Sequence, residues 1–232
     1  MAEHICRQFD IELEAIRTKV LHMATLVEEQ FRSAMVALES GQSELIEKVI
    51  DIENRVNDLH VHIDDDCVHI IALRQPAASD LRMVLTVIKV INDLERIGDK
   101  ATRIARRARV IFEDGRVKIP RLSDLSYQAE LAVNMLHTAL DGFSRMDQTV
   151  AAEVARQDLK LNDEFKAIQR QLITFMMEDP RTIGLSLEII NIAKAIERVG
   201  DHATNIAEYL VYLVKGIDVR HTSVENIERE VK

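Results

Sequence analysis

The sequence predicts an all-α protein made of two tandem three-helix bundles that internal pseudo-symmetry relates to each other. Residues that break helices are rare, because the 232 residues include only seven glycines and three prolines. No segment shows the alternation of apolar and polar residues that is typical of a strand. In addition, ERIGDKATRIA at 95–105 returns as ERVGDHATNIA at 197–207, 102 positions later and with eight of eleven letters unchanged.

Candidate chain breaks divide the sequence into six helical segments of roughly 24 to 38 residues each. The breaks fall near Gly41, Pro76, residues 113–124, residues 145–148, Asp179 with Pro180, and Lys215 with Gly216. Because short connections make successive helices antiparallel neighbours, three helices in a row form an up-down-up bundle. We therefore expect one bundle at 1–114, a second at 123–216 and a charged, frayed tail at 217–232. A single merged six-helix bundle is the alternative.

The repeat extends into the other helices of each half. The letters ALE at 37–39 match ALD at 139–141, again 102 positions later, and RVNDL at 55–59 resembles KLNDEF at 160–165. Three helices therefore occur twice, and the segment at 113–124 joins the two halves.

Charge and composition limit the partners and the compartment. The formal net charge of -9 argues against nucleic acid and against an anionic membrane surface as main partners. The basic run of Arg103, Arg106, Arg107 and Arg109 is interpreted as cations near a helix C-terminus, where they are favoured. Two cysteines without metal-type spacing, an acidic N-terminal stretch and the lack of a long apolar segment predict a cytoplasmic protein.

The third helix of each half carries a pair of acids spaced four residues apart. Residues at i and i+4 lie on one face of a helix, so Glu95 and Asp99 are neighbours, as are Glu197 and Asp201. Both pairs continue a stripe that begins apolar, which places them at the shoulder of the bundle.

The second helix of each half places further oxygen ligands level with these acids. In an antiparallel hairpin, residues equidistant from the turn lie side by side. About the turn at Pro76, Glu53 faces Asp99 and Asn57 faces Glu95. About the turn at Pro180, the same spacing pairs Asp158 with Asp201 and Asn162 with Glu197.

We call Glu53, Asn57, Glu95 and Asp99 the first cluster, and Asp158, Asn162, Glu197 and Asp201 the second cluster. Like charges brought together repel one another unless a cation balances them. Oxygen ligands favour hard cations such as Mg, Ca, Mn or oxidised iron. The alternative is a solvated acidic face paired with Arg96, Arg103 or Arg198.

The sequence resembles the PhoU family of bacterial phosphate-signalling regulators over essentially its whole length. The matching stretches are RQPAASDLR at 74–82, DLERIGDKA at 93–101, FMMEDPRTI at 175–183, IERVGDHATNI at 196–206 and YLVKGIDVRH at 212–221. The resemblance implies two three-helix bundles and acidic motifs that bind metal clusters. The implied cofactor is a divalent or trivalent metal ion, with iron, Mn, Mg and Zn as candidates.

The family motif carries over to this sequence with one departure. Glu95 with Asp99 and Glu197 with Asp201 match the motif on the third helix of each half, and Glu53 and Asp158 match its first position on the second helix. The second acid of that helix is replaced by asparagine at both 57 and 162, which removes charge from each cluster. Arg103 stands where the second half has Asn205, so we expect the first cluster to bind cations less well.

The resemblance also implies a regulatory function. Proteins similar to PhoU are non-enzymatic negative regulators of the phosphate-starvation response. They couple the ATPase subunit of the Pst phosphate transporter to a PhoR-type histidine kinase, are homodimers in many cases, and meet the membrane only through partners. No nucleic-acid partner is expected.

Two alternatives to a metal-binding regulator remain. One is a helical scaffold without metal, whose acidic clusters dock basic partner surfaces. The other is a carboxylate-bridged metal oxidase, which would need Glu-x-x-His pairs on two helices. No histidine here follows a glutamate by three positions, and Asp66 with His69 is the nearest approach, so the oxidase is disfavoured. His202 is expected to point away from the acidic face.

Overall fold

A computed structural model describes residues 7–113 and 122–231, and within these ranges it contains helices and no strand. Six long helices follow one another: α1 (Arg7–Ser40), α2 (Ser43–Arg74), α3 (Ala78–Glu113), α4 (Leu122–Arg145), α5 (Val150–Glu178) and α6 (Ile183–Lys215). A 3-10 turn at Pro180–Thr182 precedes α6, and a short helix α7 (Val224–Val231) ends the described chain. The all-α prediction is confirmed. None of the described helices is long and apolar enough to cross a membrane.

The helices form two bundles of three. Helices α1, α2 and α3 pack against one another in the first half, and α4, α5 and α6 do so in the second. The predicted pseudo-symmetric pair of bundles is therefore confirmed. The linking segment at 114–121 lies outside the described residues, so the predicted domain limits remain predictions.

The hairpin turns end at residues suited to stop a helix. At the first turn Gln75 adopts the left-handed conformation, with φ 48°, and its N–H donates to the carbonyl of Ile71 at 3.2 Å. Pro76 follows and cannot continue the helical hydrogen-bond pattern. At the second turn the Asp179 side chain accepts from the N–H of Arg181 at 3.0 Å and caps the 3-10 turn at Pro180.

The two bundles pack side by side through α3 and α6, with a smaller contact between α1 and α4. Asp93 contacts His202, and Arg107 contacts Glu188. Because the partner moves back along α6 as the position moves forward along α3, the two helices are antiparallel. The two copies of the repeated stretch therefore lie opposite each other near the middle of this contact, and one apolar core runs through both bundles.

The C-terminal segment is ordered in the described residues, which makes the expectation of a frayed tail wrong for 224–231. Ile227 and Val231 of α7 are buried. The Glu228 carboxylate lies 3.0 Å from Arg156 of α5, and the Lys215 ammonium donates to the carbonyl of Glu230 at 2.7 Å. Val224, Ile227 and Val231 lie at i, i+3 and i+7 and form an apolar stripe, which was missed because it is short and stands in a charged segment.

Candidate metal centres

Glu53 stands at a point where all three helices of the first bundle meet. Its Oε2 accepts hydrogen bonds from Gln30 Nε2 of α1 at 2.6 Å and from Thr102 Oγ1 of α3 at 3.3 Å. Gln30 is completely buried, and the same Nε2 also lies 3.3 Å from the carbonyl of Gly98. The carboxylate is therefore tied into the interior of the bundle by donors from both neighbouring helices.

The glycine of each repeated stretch lets the second helix approach closely. A Cβ at position 98 would lie 2.8 Å from Gln30 Oε1 and 2.9 Å from Glu53 Oε2. A Cβ at position 200 would lie 2.1 Å from Leu161 Cδ2. The first glycine thus makes room for a polar junction, whereas the second makes room for an apolar side chain.

The other members of the first cluster are more loosely arranged. Burial raises the pKa of Glu53, the hydrogen bond from Gln30 opposes that shift, and the charge of Asp99 adds to it. Asp99 is itself 3.7 Å from Arg103. Asn57 is exposed, with its amide 3.5 Å from Glu53 Oε1, and Glu95 lines a cleft between α3 and α6.

The second cluster brings three carboxylates close enough to repel one another. Burial raises the pKa of Asp158 to about 6, and the charges of Asp201 and Glu197 contribute to the rise. Burial and the charge of Glu197 also raise the pKa of Asp201. The Asn162 amide donates to Asp158 Oδ2 at 2.9 Å and favours the ionised form, but not enough to reverse the shift.

Two cations of α6 balance part of this charge. The Lys194 ammonium donates to Glu197 Oε1 at 2.5 Å, and Arg198 Nη1 donates to Asp201 Oδ2 at 3.1 Å. Two buried oxygens, Asp158 Oδ1 and Glu197 Oε2, accept no hydrogen bond from the described residues. Arg198 Nε lies 3.8 Å from Glu197 Oε2, which is an electrostatic contact beyond hydrogen-bond distance.

The second cluster suits a hard cation better than the first does. In the described part of the chain, no three carboxylate, imidazole or thiol side chains converge closely enough to hold a metal ion as they stand. The second cluster nevertheless has buried oxygens without donors and carboxylates that repel, and a cation would relieve both. In the first cluster Glu53 already accepts two hydrogen bonds and Asn57 is exposed, so the set fits a metal poorly.

His202 does point away from the second cluster, as expected. Its Nδ1 lies 2.6 Å from Asp93 Oδ1 of α3, and the Asn205 amide donates to the same oxygen at 3.2 Å. The histidine therefore belongs to the contact between the two bundles.

Sequence reasoning missed two residues around these clusters. Gln30 lies on the buried face of α1, between Val27 and Phe31, and a lone polar residue on such a face was the available signal. Glu208 lies two turns after Asp201 on the same face of α6. Burial and the charge of Asp218 raise the pKa of Glu208 to about 7, and Asp158 adds to that shift.

Comparison with known proteins relates both bundles to one family. The PhoU domain model matches residues 20–108 and 125–210, which is one match in each bundle. A phosphate-specific transport system accessory protein PhoU homolog of Pseudomonas putida is 43% identical over 233 residues, covering 100% of this chain and 90% of that protein. The accessory protein PhoU of Escherichia coli (strain K12) is 44% identical over 227 residues, covering 98% and 93%.

Solved structures show the same relation. The crystal structure of PhoU from Pseudomonas aeruginosa superposes with a TM-score of 0.86 at 43% identity, covering 90% of this chain and 100% of that chain. The crystal structure of the phosphate transport system regulatory protein PhoU from Streptococcus pneumoniae gives a TM-score of 0.82 at 29% identity, covering 91% and 99%.

Proposed function

The chain belongs to the PhoU family, and we propose that it is a non-enzymatic regulator that keeps the phosphate-starvation response off when phosphate is plentiful. The observation that carries this proposal is the similarity of both bundles to PhoU domains over nearly the full length of the relatives. Those relatives are described as accessory proteins of a phosphate-specific transport system, and the Streptococcus pneumoniae neighbour as a regulatory protein.

The proposed partners are the ATPase subunit of the Pst transporter and a PhoR-type histidine kinase. The protein would work in the cytoplasm as a homodimer and would reach the membrane only through these partners. Large apolar side chains at the hairpin ends offer contact surface: Leu73 is 74% exposed and Met177 is 80% exposed. Because α3 and α6 are antiparallel, these two side chains lie at opposite ends of the molecule and offer two separate surfaces rather than one apolar patch.

A pull-down from phosphate-replete cells tests the regulatory proposal. The tagged chain is expected to recover a transporter ATPase and a histidine kinase, and to recover less of them from phosphate-starved cells. An untagged chain provides the background. Recovery of neither protein under either condition would contradict the proposed circuit.

For the metal, we propose that Asp158, Asn162, Glu197 and Asp201 hold a divalent or trivalent ion such as iron, Mn, Mg or Zn. The bound ion would supply positive charge that neutralises the three carboxylates. Support for this site comes from the approach of α5 to α6, which brings Asp158 close enough to Glu197 and Asp201 for their charges to interact. Holding both helices at one point would stiffen the second bundle.

Elemental analysis tests the metal proposal. The purified chain is expected to carry or take up metal, and Asp201→Asn is expected to lower the bound amount. Asp163→Asn is the matched control, because Asp163 lies on α5 but is exposed and pairs only with Lys166 at 3.2 Å among the described residues. A chelator that removes nothing, and that leaves the melting temperature and partner recovery unchanged, would contradict metal binding.

A metal-free scaffold is the second candidate, and the ion pairs of Lys194 and Arg198 with the second cluster favour it. In that case the cluster is balanced within the protein and the regulator works through its surfaces alone. The oxidase alternative has no such support. Asp66 instead pairs with Lys19 at 2.6 Å, and His69 Nδ1 lies 2.8 Å from the carbonyl of Asp65.

A further inference from the structure

A cleft of about 660 Å³ opens between α3 and α6, where the two repeated stretches face each other. Six cationic side chains line it: Arg96, Lys100, Arg103 and Arg107 from α3, and Lys194 and Arg198 from α6. Two acids, Glu95 and Asp99, line it as well. This excess of positive charge stands out on a chain whose formal net charge is -9.

The four cations of α3 follow one face of the helix. Their spacings of four, three and four residues place neighbours about 5 to 6 Å apart between Cβ atoms. The row extends over about 16 Å along the helix axis. Because α3 continues to Glu113 and has no basic residue in its last turn, the interpretation of Arg103 and Arg107 as helix-end cations is wrong.

Several of these cations already have acidic partners. Arg107 contacts Glu188, Arg103 lies 3.7 Å from Asp99, and the cations of α6 pair with the second cluster. Each of these pairs leaves further guanidinium or ammonium donors available.

Two further cations of α3 that line the cleft are not balanced in this way. Neither Arg96 nor Lys100 forms an ion pair with the described residues. The fold therefore brings cations together here without supplying enough negative charge to compensate them.

We propose that this cleft binds an anion with two or more linked phosphoryl groups. Guanidinium groups match the geometry of phosphate oxygens and can bind them in a bidentate manner. Because the cations extend over about 16 Å, a single phosphate could contact only about two of them. A chain of linked phosphates can contact several of them in turn. The volume of the cleft falls in the range of pockets that hold small molecules.

The phosphate chain could belong to an inorganic polyphosphate or to a nucleotide. The chemistry that the cleft recognises is the same in both cases. The proposal does not require the regulatory function. It shares Lys194 and Arg198 with the ion pairs of the second cluster, so phosphate binding is measured in metal-free protein.

Titration calorimetry with tripolyphosphate, with ATP in the presence of chelator, and with citrate tests this proposal. Tripolyphosphate or ATP is expected to bind saturably and more weakly as salt increases. Similar affinity for both would assign recognition to the phosphate chain alone, and tighter ATP binding would add a contact to the nucleoside, so either result supports the cleft. Absence of saturable binding by both ligands, or citrate binding as tightly as tripolyphosphate, would overturn it.

Matched variants on α3 locate the binding. The double variant Arg96→Gln with Lys100→Gln is expected to weaken tripolyphosphate binding by about tenfold or more, since it removes two charge-assisted contacts. Arg106→Gln is the control, because Arg106 is exposed on the same helix and does not line the cleft. Circular dichroism confirms that the variants fold. Equal weakening by the control and the double variant would overturn the assignment.

Discussion

The two acidic clusters occupy equivalent places in the two bundles and yet differ in how the half-buried acid of each is stabilised. In the first bundle, the first helix α1 contributes Gln30, whose amide donates to Glu53 at 2.6 Å. The position 102 residues later is Ala132, which is buried but has no donor. Asp158 therefore keeps a buried oxygen without a hydrogen bond.

This difference shows that duplication preserved the backbone arrangement but not the chemistry. A close approach of α2 to α3, or of α5 to α6, places an acid near the repeated stretch in both halves. Whether that acid is stabilised depends on what the first helix of each bundle supplies. In the first cluster the Glu53 carboxylate has donors from both neighbouring helices, although the buried Gln30 Oε1 accepts no hydrogen bond from the described residues. The second cluster retains repulsion that a cation could relieve.

The largest effect is expected from removing the donor that distinguishes the first bundle. Gln30→Leu leaves the half-buried Glu53 carboxylate without its shortest hydrogen bond and should lower the free energy of unfolding by about 3 kcal/mol. Gln128→Leu is the matched control, because this buried glutamine donates one hydrogen bond, to the carbonyl of Ala193 at 3.1 Å. Its loss should be about 1 kcal/mol. Urea denaturation of both variants measures the difference, and equal losses would contradict the special role of Gln30.

The next largest effect is expected in metal affinity, which should differ between the two clusters. Asp201→Asn is expected to weaken Mn²⁺ binding by about 30-fold, which corresponds to about 2 kcal/mol, because it removes a charged ligand from the second cluster. Asp99→Asn should change the affinity by less than about threefold, since Asp99 pairs with Arg103 and the first cluster fits a cation poorly. Calorimetric titration of metal-free protein measures both. Similar weakening by the two substitutions would reject this ranking.

The two glycines offer a comparison of packing. Gly200→Ala should lower the free energy of unfolding by about 1 to 2 kcal/mol, because the new methyl group would meet the buried side chain of Leu161. Gly98→Ala should cost less than about 1 kcal/mol, since the groups it would meet are the ends of longer polar side chains and alanine favours the helix. Guanidinium denaturation provides the measurement. A greater loss at Gly98 would show that the polar junction is the more rigid contact.

The smallest effect concerns the repulsion at Asp158. The ordinary pKa of this carboxyl is 3.8 and its folded value is about 6, so the folded state binds more protons between these values. Stability from this group is therefore complete below about pH 4 and is lost as the pH rises through about 6. In metal-free protein at neutral pH, Asp158→Asn should raise the free energy of unfolding by about 1 kcal/mol after allowance for solvent screening.

A pH series of melting curves checks this prediction. The gain from Asp158→Asn should vanish near pH 4, where the carboxyl is already neutral. Glu53→Gln is the comparison, because burial raises the pKa of Glu53 as well but donors from Gln30 and Thr102 oppose that shift, so a smaller gain is expected. A loss of stability from Asp158→Asn at neutral pH would show that the second cluster is already balanced.

Much of the fold could be predicted because its signals are local. Helix ends near Gly41, Pro76 and Pro180 follow from residues that stop helices, and the observed bounds agree with them. Asp158 and Asp201 are predicted to lie level because they are equally distant from the turn at Pro180. The effect of the Asp201 charge on the pKa of Asp158 is consistent with this prediction. The short helix α7 has an apolar stripe at Val224, Ile227 and Val231, but its docking against α5 is not specified by the sequence.

The sequence by itself determined the helices, their breaks, the duplication and the acidic pairs, since each depends on spacing along one chain segment or one hairpin. Only the tertiary structure decided which acid receives a donor and which cations share a cleft. Gln30 reaches Glu53 across 23 positions, and the cations of α3 and α6 meet only when the bundles pack together. Burial, charge and hydrogen bonding act through distances in space. Counting about the turn at Gly41 places Gln30 level with Glu53, but spacing in the sequence does not specify which way each side chain turns on its helix or how close helices of different bundles come.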